Sequence, residues 1–210
     1  VARFMGYQWK TLVPPMMFNN CGTMGLPLVV LTFGEAMLPA AILLLAISNL
    51  LHFLVGQQLI TQHWSIKAVV TNPMIVATVS GIAVSITGIT IPETLILPIH
   101  MLGLIAIPMM LFSLGVRMIA IDFGDWEIST VGAILCPISG LIIAAGFIAL
   151  VPIPQAQASL LLLFSVLPPA ILNFMVAEKF DQEPHRVASI VLLGNLASVL
   201  VIPAVLWYIL

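Results

Sequence analysis

Charged residues divide the chain into long apolar stretches. Thr11 to Gly34 carries no Asp, Glu, Lys or Arg, and neither does Ala36 to Ile66, Ala68 to Pro92, or Thr94 to Val116. Ile128 to Ala177 is also charge-free and long enough to cross a bilayer twice, with Pro152-Ile153-Pro154 as the turn between crossings. Val187 to Leu210 supplies one more. A helix needs about 20 mainly apolar residues to span the hydrocarbon core. The pattern therefore predicts about seven transmembrane helices, roughly at 12–32, 37–57, 72–91, 95–115, 130–150, 157–177 and 187–208.

Composition sharpens this reading. Of 210 residues, 61% are hydrophobic and 7% charged, whereas soluble domains carry about 25% charged residues. So few charges cannot cover a water-facing surface, so the exterior faces lipid and the class is an all-α membrane protein. Both cysteines, Cys21 and Cys136, lie inside spans, which argues against a disulfide framework. The net charge of −2 is spread without a basic patch, so nucleic acid is not an expected partner. No His/Asp metal cluster or HExxH spacing occurs, so the expectation is a non-enzyme without metal or cofactor.

The basic residues orient the spans. Alternating the loops places 1–11, 58–71, 116–129 and 178–186 on one side, and 33–36, 92–94, 151–156 and the C-terminus on the other. Arg3, Lys10, Lys67, Arg117, Lys179 and Arg186 all fall on the first side, which is then cytoplasmic. The expected location is a cytoplasmic (inner) membrane, with the start of the chain inside and its end outside. Trp9, Trp64, Trp126, Trp207 and Tyr208 fall near span ends, where amphipathic aromatics sit at the interface.

Two spans do not read as plain helices. The first contains Pro14-Pro15-Met16-Met17-Phe18-Asn19-Asn20-Cys21-Gly22-Thr23-Met24-Gly25-Leu26-Pro27, and the sixth contains Leu167-Pro168-Pro169-Ala170-Ile171-Leu172-Asn173. Proline removes a backbone donor and clashes with the preceding turn, and Asn and Gly favour chain breaks. Isolated prolines such as Pro39, Pro98, Pro108, Pro137 and Pro203 read as simple kinks. The two clusters sit near mid-depth, where irregular backbone survives only when protein covers it or it lines a cavity. Both spans are followed by a short connection and another helix, and they run in opposite directions, the trace of an inverted repeat. If spans 3 to 7 form one five-helix unit, span 1 is the fourth helix of an earlier one. Val1 is not Met, the opening stretch is polar, and no signal-peptide pattern is present. The reading is a fragment lacking three preceding helices.

A broken helix exposes the N-terminus of its second half. Such an end behaves as roughly half a positive charge, and two converging ends hold an anion without Lys or Arg. Backbone amides near Asn20 to Thr23 and near Ala170 to Leu172 are the expected donors.

At these segments, Asn19 to Leu28 and Leu167 to Phe180, the sequence resembles the auxin efflux carrier family, which includes bacterial carriers and plant PIN-type auxin carriers. Ala188 to Ser198 is also family-like, and the resemblance follows the spans over the whole chain. It implies ten helices in two inverted five-helix repeats, with two broken helices crossing. This chain would supply helices 4 to 10: transport-core helices at 1–60, panel helices that also form a dimer contact at 72–117, and core helices at 130–210. It implies a secondary active transporter working by alternating access on small carboxylates such as malate- or malonate-type acids, with a homodimer as a further expectation. Asn20 looks like the family's substrate-contacting Asn, and Pro168 like the second crossing proline. Asn19 stands where PIN-type carriers have the first crossing proline, and Pro169 where they have a polar side chain. Those departures favour a small, polar acid bound by backbone amides. The substrate-binding set is Asn19, Asn20, Cys21, Gly22, Pro168, Pro169 and Asn173.

Other polar residues have two readings. Asn173 could reach substrate or make an interhelical bond. Asn195 and Ser198 could face the core or glue helices, and Ser165 and Thr23 are secondary candidates. His52 and His100 lie toward span ends and carry only a weak proton-relay reading. Glu178 to Arg186 reads as a solvated inner surface. Alternatives of other kinds remain: a sodium-coupled symporter of the bile-acid-carrier type, with unwound carbonyls binding the ion, and a non-transporting membrane scaffold.

Overall fold

The computed structural model describes residues 6–61, 70–71, 73–119 and 125–210. The charged and aromatic markers Arg3, Trp64 and Lys67 lie outside the described residues. Within these residues the chain is helical, with no strand among them beyond a single antiparallel bridge.

The apolar stretches become helices in the expected order. The first is split into α1 (Trp9–Met17) and α2 (Leu26–Phe33), with a π-helical turn at Cys21–Gly25 running into α2. The second runs through α3 (Leu38–Leu51), a second π-helical turn at His52–Gly56, and α4 (Gln57–Thr61). Then come α5 (Pro73–Thr87), α6 (Glu93–Ile119) and α7 (Trp126–Leu150). The sixth is split into α8 (Gln155–Ser165) and α9 (Ile171–Lys179), and α10 (Pro184–Ile209) closes the chain. Among the described residues, Glu35–Ile60, Trp126–Leu150 and Pro184–Ile209 are each long and apolar enough to cross a membrane. Cys21–Phe33, Ile75–Thr87 and Glu93–Ala106 are shorter apolar helices. Of the isolated prolines, Pro98, Pro108, Pro137 and Pro203 sit inside continuous helices, whereas Pro39 lies in the first turn of α3, where a proline interrupts nothing.

Packing gathers around the two split helices. Cys21, Leu26 and Val29 interlock with Ala41 of α3, with Leu160, Leu163, Phe164 and Leu167, and with Ile202 of α10. A second cluster joins Leu12 of α1 to Ile128 and Ile190. Glycines set the closest approaches. A methyl group on Gly132 of α7 would lie 2.7 Å from Ile190, and one on Gly140 would lie 1.9 Å from the Ser165 carbonyl oxygen. In contrast, α5 and α6 display apolar side chains such as Ile82, Leu95, Leu102 and Met109 on the surface. Such a face suits lipid and is unsuited to water.

The 178–186 segment is largely solvated, with Glu178, Lys179, Asp181 and His185 exposed, and Glu183 and Arg186 are its half-buried anchors. Glu183 accepts from the buried Thr11 hydroxyl at 2.5 Å and pairs with Arg186, which also reaches Asp125 at 3.7 Å. Gln182 donates to Gln8 at 2.9 Å. The loop therefore fastens the start of α1 to the starts of α7 and α10. Pro184 occupies the first turn of α10, where its missing N–H has no intrahelical role.

Candidate functional site

The two breaks meet. Phe18 and Ala170 are extended, and Asn19 pairs with Pro169 as an isolated antiparallel bridge. The Asn20 N–H donates to the Pro168 carbonyl at 2.7 Å, and the Ala170 N–H donates to the Phe18 carbonyl at 2.9 Å. Buried backbone groups must be paired, and in a bilayer water cannot do it. Each prolyl break leaves a stretch without helical bonds, and each supplies partners for the other.

Side chains secure the junction. The Asn19 amide donates to the Phe164 carbonyl at 3.1 Å, and its oxygen lies 3.5 Å from the Cys136 sulfur. The Asn173 amide donates to the Phe18 carbonyl at 2.9 Å, and that of Asn195 to the Pro169 carbonyl at 3.3 Å. A methyl group on Gly194 would lie 2.6 Å from Pro169 Cδ, so the proline ring seats directly on α10.

Two cavities flank this crossing and share Asn19. The larger, about 880 Å³, lies toward the first half of α3 and is mostly apolar, with Met16, Leu43, Leu44, Ile143 and Phe147 among its walls and Ser139 and Ser165 at its base. The smaller, about 290 Å³, lies against the second half of α3. Its walls are Asn19 to Thr23, Leu45, Ser48, Asn49 and His52, with Ala170, Ile171, Leu172 and Met175 opposite. Both second-half helices begin on it. Their first N–H groups, including those of Gly22, Thr23, Ile171 and Leu172, have no intrahelical acceptor, and the two ends bring partial positive charge to one space. Among the described residues, no acidic or basic side chain lines this cavity apart from the titratable His52 and Cys21.

Asn20 is the clearest single feature. It is 4% exposed, its oxygen accepts from the Thr23 hydroxyl at 2.5 Å, and its amide nitrogen has no hydrogen-bond acceptor. A buried unpaired donor costs about 1–3 kcal/mol, which an acceptor entering the cavity would recover.

Of the residues singled out from sequence, Asn19, Asn20, Cys21 and Gly22 line the smaller cavity. Pro168 and Pro169 face α7 and α10, beside Ala133, Pro137 and Gly194. Asn173 is spent on the Phe18 carbonyl, the interhelical alternative, and Asn195 and Ser198 act as helix glue around Pro169 and Met24. Sequence reasoning passed over Ser48 and Asn49 and placed His52 toward a span end, whereas all three line the smaller cavity. The signal was present: the three share one face of an otherwise apolar helix, at i, i+1 and i+4. His100 is exposed on α6 and does not line either cavity.

A family model described as a membrane transport protein matches residues 58–208, a segment that includes the second break. No curated protein and no solved structure matches the chain.

Proposed function

The chain belongs to that membrane transport protein family, the auxin-efflux-carrier type, and from this premise we propose that it is a secondary carrier of small organic anions. The substrate class is carboxylates of the malate or malonate kind, moved across the cytoplasmic membrane by alternating access. The carboxylate occupies the smaller cavity, held by the amides of Gly22, Thr23, Ile171 and Leu172 and by the Asn20 side chain. The reading rests on one observation above the rest: a buried Asn20 donor without a partner, beside two converging helix N-termini.

Chemistry supports an anion over a cation here. The carbonyls of Phe18, Pro168 and Pro169, which an unwound-helix sodium site would use, already accept hydrogen bonds. The unpaired side-chain oxygens of Asn173 and Asn195 do not line the smaller cavity, where the group left over is the Asn20 donor. The two cavities on opposite sides of a crossing only a few residues thick suit a carrier that opens to one side at a time. Membership of a transporter family points to a carrier and away from an enzyme.

Uptake of labelled malonate and malate into vesicles containing the protein tests this. Asn20→Ala should weaken binding at least about tenfold, since a hydrogen bond to a charged group contributes about 1.5–3 kcal/mol. Expression should be intact and stability should fall by no more than about 1 kcal/mol, because the amide nitrogen holds nothing in the fold and the oxygen takes one bond from the Thr23 hydroxyl. Undiminished uptake by that variant would remove the anion from this cavity.

A further inference from the structure

His52 is a buried ionisable group at the crossing for which backbone anion binding has no use. It is 4% exposed and lines the smaller cavity with Asn20 and Ser48. Its ring lies flat on Phe18, with centroids 4.2 Å apart and planes 16° from parallel, and Phe53 stands at 6.2 Å. Phe18 is itself the last residue before the crossing, and its carbonyl carries the Ala170 and Asn173 bonds. The stack depends on Gly56, where a methyl group would lie 2.7 Å from the Phe18 ring and 2.9 Å from the His52 ring. Both residues bound the π-helical turn His52–Gly56, a rare element concentrated at functional sites.

We propose that His52 is the proton-binding group of this carrier, so that one proton travels with each carboxylate. This deepens, and rests on, the carboxylate reading above. Histidine changes charge between about pH 5 and 8, and ionisable residues inside a membrane segment mark ion and proton routes. An imidazolium alone or a carboxylate alone is costly in so apolar a space; together they cancel one unit of charge, and a malonate-type dianion is left with a single negative charge facing the two helix N-termini. The face of Phe18 adds cation–π support for the charged ring. Binding of either partner therefore favours the other, as linkage requires. The step moves one proton from water in the open vestibule to an imidazole nitrogen, and back to water on the opposite side when the carboxylate leaves.

Among the described residues, the surroundings supply no competing charge. Cys21, 3.8 Å from Ser48, is the other titratable group on the cavity wall. On α1, Lys10 donates to the Ile60 carbonyl at 3.0 Å, and on α9, Glu178 and Lys179 are exposed at the far end.

The test uses the full chain with malonate as the probe. Calorimetric binding in buffers of different ionisation heat should show about one proton taken up per malonate, and His52→Gln should bind more weakly and take up none. In vesicles, an imposed pH gradient should drive accumulation up to about tenfold per pH unit, and this drive should vanish in the variant. Should His52→Gln fail to fold, the native protein decides alone: malonate binding without proton uptake overturns the inference. Equal proton uptake by native and variant proteins also overturns it and leaves the carboxylate reading intact. Absence of any carboxylate binding sinks both.

Discussion

The two breaks look alike in the backbone and differ in what surrounds them. At the first, Asn19 to Thr23 turn polar groups and small residues toward a cavity, and the helix resumes as a π turn. At the second, Pro168 and Pro169 are wedged among Ala133, Pro137 and Gly194, and α9 begins as an ordinary helix. The first break carries side-chain chemistry, and the second holds it in place, lending the smaller cavity its helix start at Ala170 to Leu172. A shared topology thus positions two helix ends, while local composition divides the labour between them.

That division can be attacked directly. The largest effect should come from Gly140→Ala, which drives a methyl group into the Ser165 carbonyl at the end of α8, a backbone atom that cannot swing aside. We expect about 3 kcal/mol of destabilisation, read as a lower thermal transition in detergent. A fully stable variant would mean that the second break is not a rigid support. Next, Asn195→Ala removes the donor to the Pro169 carbonyl. About 1 kcal/mol of stability should go, with malonate affinity nearly unchanged; an affinity loss comparable to that of Asn20→Ala would move α10 into the binding machinery. The smallest effect should come from Thr23→Val, which keeps the shape and removes the hydroxyl that orients Asn20. Malonate affinity should fall about threefold, equivalent to roughly 0.5–1 kcal/mol, with stability unaltered. A drop in stability without a change in affinity would make Thr23 a mere helix cap.

Much of the architecture was legible one segment at a time. Runs without charge located the helices, and Asn19-Asn20 and Pro168-Pro169 located both interruptions, because each signal is local; Pro14-Pro15, read as part of the first break, sits inside α1. The site was legible only in part. Asn20 stood out through its neighbours in sequence, whereas Pro169 and Asn173 were assigned to substrate and are engaged in packing and in the crossing itself. His52 looked peripheral because its position was measured along a straight span. The π turn and the closeness of Phe18 bring it beside the crossing.

Hydrophobic patterning by itself determined that this chain lives in a membrane as a set of helices, two of them broken, since the need to satisfy every backbone group in lipid allows little else. Only the tertiary structure decided that the breaks pair with each other. The partners Asn19 and Pro169 lie far apart in the chain, and nothing local ties them. It also decided which polar side chains are consumed by that pairing and which residues, like Asn20 and His52, are left beside a cavity. The physical reason is that a hydrogen-bonding group has no fixed role until its neighbours in space have taken or left its donors and acceptors.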